Sequence, residues 1–229
     1  MLPKIQLPLF TITIPSTGKP LQFRRFTVRE EKILLMAEQG NTVDDILTAV
    51  NQIITNCCAE ELDIDKVAVF DYDYIFLKLR SQSVSNIVPY RIRDTEDEKI
   101  YEFEIDLETI ELKAPPKIEL ITIIDDIGVM LKYPTIAAGR KFAETGDPIG
   151  FIADCVDYIY DAANIYKSSD TTREELIEYI SGFPKQSLDA IEAFFATIPI
   201  LKYEYNYRNS LGQDRTFKIE GIQSFFLCS

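Results

Sequence analysis

The sequence contains no histidine. That removes the commonest general base and the commonest metal ligand of proteins. His-dependent catalytic triads and ordinary His-containing zinc sites are excluded with it. Glycine is sparse, nine in 229 residues, and neither G-x-G-x-x-G nor G-x-x-x-x-G-K-S/T occurs, so both common glycine-rich phosphate cradles are missing. A G-x-S-x-G nucleophile elbow is absent too. Positive charge is scarce: Lys and Arg total 24 against 37 Asp and Glu, a formal net charge of -13. Binding nucleic acid or an anionic lipid surface needs concentrated positive charge, and this balance argues against both. No uninterrupted apolar run approaches the roughly 20 residues needed to cross a bilayer. The opening residues lack the charged region, apolar stretch and small-residue cleavage site of a secretory signal. Four cysteines, Cys57, Cys58, Cys155 and Cys228, form no C-x-x-C pair, and neighbours such as Cys57 and Cys58 rarely bridge each other. Reduced thiols in an acidic, intracellular protein are the expectation.

What is present reads as globular. Hydrophobic residues make up 46% and charged residues 27%, and the length is sufficient to bury a substantial core. Phe10, Ile12 and Ile14 alternate with Leu9, Thr11 and Thr13, which predicts a strand with one apolar face; a second strand follows the turn at residues 15–18. Thr27 and Glu30 have capping-box spacing, so a helix is expected over 28–39. Thr42 opens another, whose stripe of Val43, Ile46, Leu47, Val50, Ile53, Ile54 and Cys57 recurs at helical spacing and makes Cys57 a core residue. A third helix is expected through Tyr72, Ile75, Phe76 and Leu79, ending near residues 81–83. The middle is β-rich: 88–93 and 99–107 flank a polar turn, 109–112 suggests a further strand, and 118–124 and 127–133 are apolar segments. Helices return afterwards, with Ile152, Cys155, Val156, Ile159 and Ala163 on one helical face, a capping box at Thr172 and Glu175, and a final amphipathic helix through Leu188 and Ile198. A hairpin closes the chain, its tyrosines Tyr203, Tyr205 and Tyr207 alternating with polar residues. The fold class is α+β, a β-rich centre between two helical groups with terminal hairpins. By chain order the parts are 1–134 and 135–229, expected to form one unit.

Carboxylate pairs at Asp63 and Asp65, Asp71 and Asp73, Asp125 and Asp126, and Glu102 and Glu104 have the chemistry for a hard cation or acid/base work. A chain with 37 acids produces such spacings by chance. Asp71 reads better as a helix cap, Glu102 and Glu104 as the wet face of a strand, and Asp125–Asp126 as a turn. No catalytic, metal or cofactor residues are therefore assigned. Positive charge concentrates only at Arg24 and Arg25, with Arg29 and Lys32 close behind. This is a candidate docking patch for an acidic partner, weighed against an ordinary solvated strand end and helix face. The tyrosine row is expected mostly in the core, whereas the closing Phe225 and Phe226 are candidates for contact with a partner.

The run FRRFTVREEKILLMA at 23–37, following LPLF at 7–10, resembles the baseplate hub proteins of T4-like contractile-tailed bacteriophages. The similarity continues through DYIFLKLRSQSV at 73–84 and IGVMLKYP at 127–134, covering roughly the first 135 residues. Where the family tends toward S-V-G-E, this chain has Ser83, Val84, Ser85 and Asn86. The cysteine pairs of some relatives in the following β segment are absent from 90–94, so that hairpin must rely on strand pairing. The resemblance implies work in building the baseplate hub, as a transient assembly factor of chaperone type or as a resident subunit. The implied partners are other hub proteins and the tape-measure protein, and the implied setting is the host cytoplasm during assembly or the virion tail. It implies no catalytic residues. A carboxylate-dependent cell-wall hydrolase is the reading from a different class.

Overall fold

Alternation sets the first element. Ile12 is buried while its neighbours Thr11 and Thr13 are exposed, and β1 (Leu9–Thr13) pairs antiparallel with β2 (Pro20–Arg24), Phe10 opposite Phe23 and Leu9 opposite Arg24. Gly18 turns between them with φ at 67°, a left-handed conformation open to glycine at little cost. The computed structural model describes residues 5–40 and 42–222. Phe225, Phe226 and Cys228 lie outside the described residues.

Two helices follow, α1 (Val28–Gly40) and α2 (Val43–Cys57). The Thr42 hydroxyl accepts from the Asp45 amide and starts α2, whose Ile46, Val50, Ile53, Ile54 and Cys57 are buried as their spacing predicts. The third helix, α3 (Val69–Ser83), buries Phe70, Tyr72, Ile75, Phe76, Leu77 and Leu79. These positions run right round the helix, so it lies inside its unit rather than on the surface.

Beyond α3 come β3 (Ile87–Arg93) and β4 (Ile100–Asp106), a hairpin with Tyr90 opposite Phe103 and Val88 opposite Ile105. The expected strand at 109–112 does not form. A 3-10 turn, Leu107–Thr109, begins at Asp106, whose carboxylate accepts from the Glu108 amide; Leu107 and Ile110 are buried three residues apart, a spacing that turn geometry satisfies.

Residues 1–64, 70–113 and 200–229 form one compact unit, and 65–69 with 114–199 form another. The closing hairpin, grouped by chain order with the C-terminal helices, belongs to the first unit. It comprises β9 (Lys202–Arg208) and β10 (Asp214–Glu220), and its aromatics pack on β3 and β4. Tyr205 stacks on Phe103 at 3.9 Å with planes 7° apart, and Tyr101 meets Tyr207 at 4.8 Å. The Tyr207 hydroxyl donates to the buried Asp94 carboxylate at 2.6 Å, and Ser210 donates from both its amide and its hydroxyl to Asp97. The three tyrosines of the row are thus half-buried rather than core, with Tyr205 and Tyr207 packed on the β3–β4 hairpin.

In the second unit an antiparallel meander runs β5 (Leu120–Ile124), β6 (Ile127–Leu131), β7 (Val156–Tyr160) and β8 (Ile165–Lys167). Its helices are α4 (Ile136–Thr145), α5 (Pro148–Asp154), α6 (Arg173–Ser181) and α7 (Lys185–Ala196). Ile123, Val129, Leu131, Ile152, Val156, Ile159, Leu176, Ile180 and Ile191 make one core. The long helix expected through Ile159 is corrected: α5 stops at Asp154, and Val156 pairs with Leu131 in the sheet. Ile152, Cys155, Val156 and Ile159 suit a helix face, but Val156, Tyr158, Ile159 and Tyr160 are themselves β-favouring residues, and pairing with β6 decides the outcome. Gly128 on β6 lies under the Tyr160 ring, which leaves no room for a Cβ. The capping box at Thr172 and Glu175 is complete.

A candidate docking surface at the first helix

The turn from β2 into α1 is held by one buried carboxylate. Arg24 donates from Nη1 to Glu30 Oε2 at 3.0 Å and from Nη2 to Oε1 at 2.9 Å. The Thr27 amide and hydroxyl add bonds to Glu30 Oε2 at 2.8 and 2.5 Å, and the Arg29 amide donates back to the Thr27 hydroxyl at 3.3 Å. Glu30 is only 1% exposed. The Arg24 hydrogen bonds, with help from Thr27, pull its carboxyl down to about 2, and the same pairing raises Arg24. A bidentate, charge-assisted pair of this kind fixes geometry as well as adding energy.

This pairing divides the basic patch. Arg24 is consumed internally, whereas Arg25, Arg29 and Lys32 are exposed and form no ion pair among the described residues. Exposed apolar side chains share α1 with Arg29 and Lys32. Val28 is 80% exposed, Met36 62% and Leu35 53%. At 3.6 residues per turn, Val28, Lys32, Leu35, Met36 and Arg29 share one outward stripe of α1, opposite the buried Glu30, Leu34 and Ala37. Beside the helix start lies an open groove of about 530 Å³ lined by Ile5, Leu7, Leu9, Arg24, Thr27, Val28, Arg29 and Glu30. The chain therefore presents an apolar surface with three cations, although its overall charge is strongly negative.

Sequence reasoning found the cations and missed the apolar partners. The signal was available for Leu9, which is out of phase with Phe10, Ile12 and Ile14 and must face away from the strand's buried side. Ile5 and Leu7 continue that phase.

The carboxylate pairs have separate local tasks. Asp71 lies within the first turns of α3, not at its cap; it is 2% exposed and accepts from the Ser16 amide at 2.9 Å and from the Ser16 hydroxyl, which anchors the β1–β2 turn. Burial raises its pKa. Asp73 is 8% exposed, accepts from the Ile222 amide, and is pushed by burial up to about 7. Asp125 and Asp126 form the β5–β6 turn, with Asp125 at φ 46°. Glu102 and Glu104 lie on the wet face of β4, and Glu102 pairs with Arg91 at 2.8 Å. Asp65 pairs with Arg140 at 3.1 Å. Among the described residues no group of three or more acids or cysteines is placed to hold a metal ion. Burial pushes the Cys57 and Cys155 thiols up to about 12, as suits inert core sulfur. No helix among the described residues is long and apolar enough to cross a membrane.

A two-unit α+β protein whose few buried acids are held in structural hydrogen bonds and which exposes a mixed apolar and basic surface is of the kind that works within an assembly. Comparison with protein families identifies the assembly: the chain matches the family described as T4 bacteriophage base plate protein over residues 7–227. The chain belongs to this phage baseplate family. The match includes the C-terminal helices and closing hairpin, well past the first 135 residues where the resemblance was visible by motif. No curated protein and no solved structure matches the chain.

Proposed function

We propose that this baseplate protein is a non-enzymatic assembly factor for the baseplate hub, acting through contacts with other hub proteins and the tape-measure protein. The observation that carries the reading is the α1 surface: three exposed cations among exposed Val28, Leu35 and Met36 on a chain of net charge -13. Large apolar side chains gathered on one face cost solubility unless a partner covers them, which makes such a face a mark of interaction. The charge excess supports a factor that must stay dispersed while holding partners, since a net charge far from zero opposes self-association. Assembly in the host cytoplasm fits that role. The carboxylates that would serve a cell-wall hydrolase are used in the β1–β2 anchor, the Ile222 contact and the β5–β6 turn.

Residence as a stoichiometric hub subunit is the second reading, favoured by further exposed apolar side chains in the second unit, Leu120, Ile124 and Ile165. Quantitative mass spectrometry of purified particles separates the two. An assembly factor is absent from finished tails while its deletion blocks baseplate formation. Copies at whole-number stoichiometry to other hub proteins would establish the subunit instead.

A further inference from the structure

We infer that the groove and helix stripe at the start of α1 dock an extended segment of another baseplate protein in which carboxylates alternate with apolar side chains. The inference rests on the assembly reading above and specifies the chemistry of the partner.

The groove has two walls. One is the chain entering β1, where Ile5, Leu7 and Leu9 recur at every second residue; the other is the first turn of α1, with Val28 and Arg29. Its volume of about 530 Å³ lies within the range of small-molecule pockets, roughly 300–1,000 Å³. The lining, however, is open: Ile5 is 87% exposed and Val28 80%. A small ligand would leave most of its surface in water there, whereas a polypeptide can cover both walls. Among the described residues β1 pairs only with β2, while β2 meets Cys58 through an isolated bridge on Phe23. The groove thus accompanies a strand with a single partner, an arrangement that suits an extended guest.

Charge selects the guest. Arg29 lines the groove, Lys32 lies one turn further along α1 from Val28, Arg25 is exposed just past the end of β2, and Arg24 is silenced by Glu30. Carboxylates reach three uncompensated cations while neighbouring apolar side chains enter the groove. A second copy of the chain also carries -13, so net repulsion opposes its approach, and in a two-fold symmetric pair the same three cations would face themselves. Nucleic acid would supply phosphates but would leave Ile5, Leu9 and Val28 uncovered and meet a strongly acidic molecule. Electrostatic complementarity of this sort sets partner choice and association rate.

The test uses the full-length chain with each of the other baseplate proteins of its phage, co-expressed in pairs. Captured pairs are treated with a carbodiimide, which joins an amine to a carboxylate only in direct contact, and the joined residues are located by mass spectrometry. Lys32 should couple to an Asp or Glu of the partner. Affinity should fall at least tenfold in the triple variant Arg25→Glu, Arg29→Glu, Lys32→Glu, and again in Val28→Asp, with melting temperatures unchanged because these side chains are exposed. A partner that binds both variants normally, or that couples only elsewhere, overturns the inference and leaves the assembly reading standing. Coupling of Lys32 to a second copy of this chain overturns it in favour of self-association. If no baseplate protein binds the wild-type chain, both readings fall together.

Discussion

Replacing Asp73 with asparagine should make the protein more stable at neutral and alkaline pH. Asp73 lies on α3, is nearly sealed from solvent, and accepts a hydrogen bond from the Ile222 amide close to the end of the described chain. Burial disfavours its charged form and pushes the carboxyl up to about 7, against an ordinary aspartate value of about 3.9. The folded state therefore binds a proton more tightly than the unfolded state does. Its contribution is fully present below about pH 4 and is lost progressively as the pH rises through about 7. At about 1.36 kcal/mol per pH unit, that interval corresponds to roughly 4 kcal/mol. An asparagine in its place would keep an acceptor for the Ile222 amide and never ionise, but its amide protons need new partners, at a cost of about 1–2 kcal/mol. Urea unfolding at intervals from about pH 4.5 to about 8.5 reads the difference between Asp73→Asn and wild type. The variant should be equal or slightly weaker at the acid end and about 2–3 kcal/mol more stable above about pH 7.5. A difference that stays flat with pH would mean that Asp73 is ionised throughout, and would refute the reasoning.

Glu30→Ala removes the acceptor shared by Arg24 and Thr27 and should cost about 2 kcal/mol, less than a fully buried pair because Arg24 is partly exposed. Since the Glu30 carboxyl is held down at about 2, its contribution is present above the ordinary glutamate range and disappears as pH falls through about 2, so wild type and variant should converge in acid unfolding. Phe103→Ala should cost about 3–5 kcal/mol, because Phe103 is 8% exposed and joins Tyr90 and Tyr205 across two hairpins; thermal melting followed by near-ultraviolet circular dichroism checks it. With their thiols held up at about 12, Cys57 and Cys155 should resist alkylation at about pH 8 until the protein is unfolded, as peptide mapping after brief labelling would report.

Where local pattern and tertiary packing agree, the elements are legible from residue spacing alone. Thr42 and the Ile46–Cys57 stripe, the capping box at Thr172 and the alternation around Phe103 each satisfy local bonding and burial at once. Spacing fails where two periods fit the same residues. Between Ile152 and Tyr160 the apolar positions suit a helix and a strand, and only pairing with Leu131 and Val129 in β6 separates them. Asp71 departs from its expected role for a related reason: its capping chemistry is real, but the amide it captures belongs to Ser16, fifty-five residues away. The allocation of the closing hairpin to the first unit depends on ring stacking between distant segments, for which chain order carries no signal. At the candidate site the cations are visible because positive charge is scarce in this chain. The apolar half is hidden because Val28, Leu35 and Met36 pass for ordinary helix core until burial shows Leu34 and Ala37 taking that role.

The two adjacent arginines allow structural and binding roles to be separated within a single dipeptide. Arg24 is the last residue of β2, opposite Leu9, and its guanidinium reaches across the turn to Glu30. Arg25 follows it out of the strand into solvent and gives its carbonyl to Arg24 at 3.1 Å, so its backbone supports the staple while its side chain is free to face a partner. Arg24→Ala leaves Glu30 buried without its charge partner and should lower stability by about 2 kcal/mol. Arg25→Ala removes only an exposed side chain, and a surface change of that kind stays within about 0.5 kcal/mol. In partner capture at a temperature where both variants are folded, Arg25→Ala weakens binding at unchanged stability, whereas Arg24→Ala, which alters the groove lining and leaves Glu30 unpaired there, loses binding only together with stability. The pair of measurements decides whether the basic step works through its charge count or through its geometry. Equal losses of binding from the two variants, with equal melting temperatures, would mean that Arg24 is available to partners after all and that the Glu30 clamp does not hold it in solution.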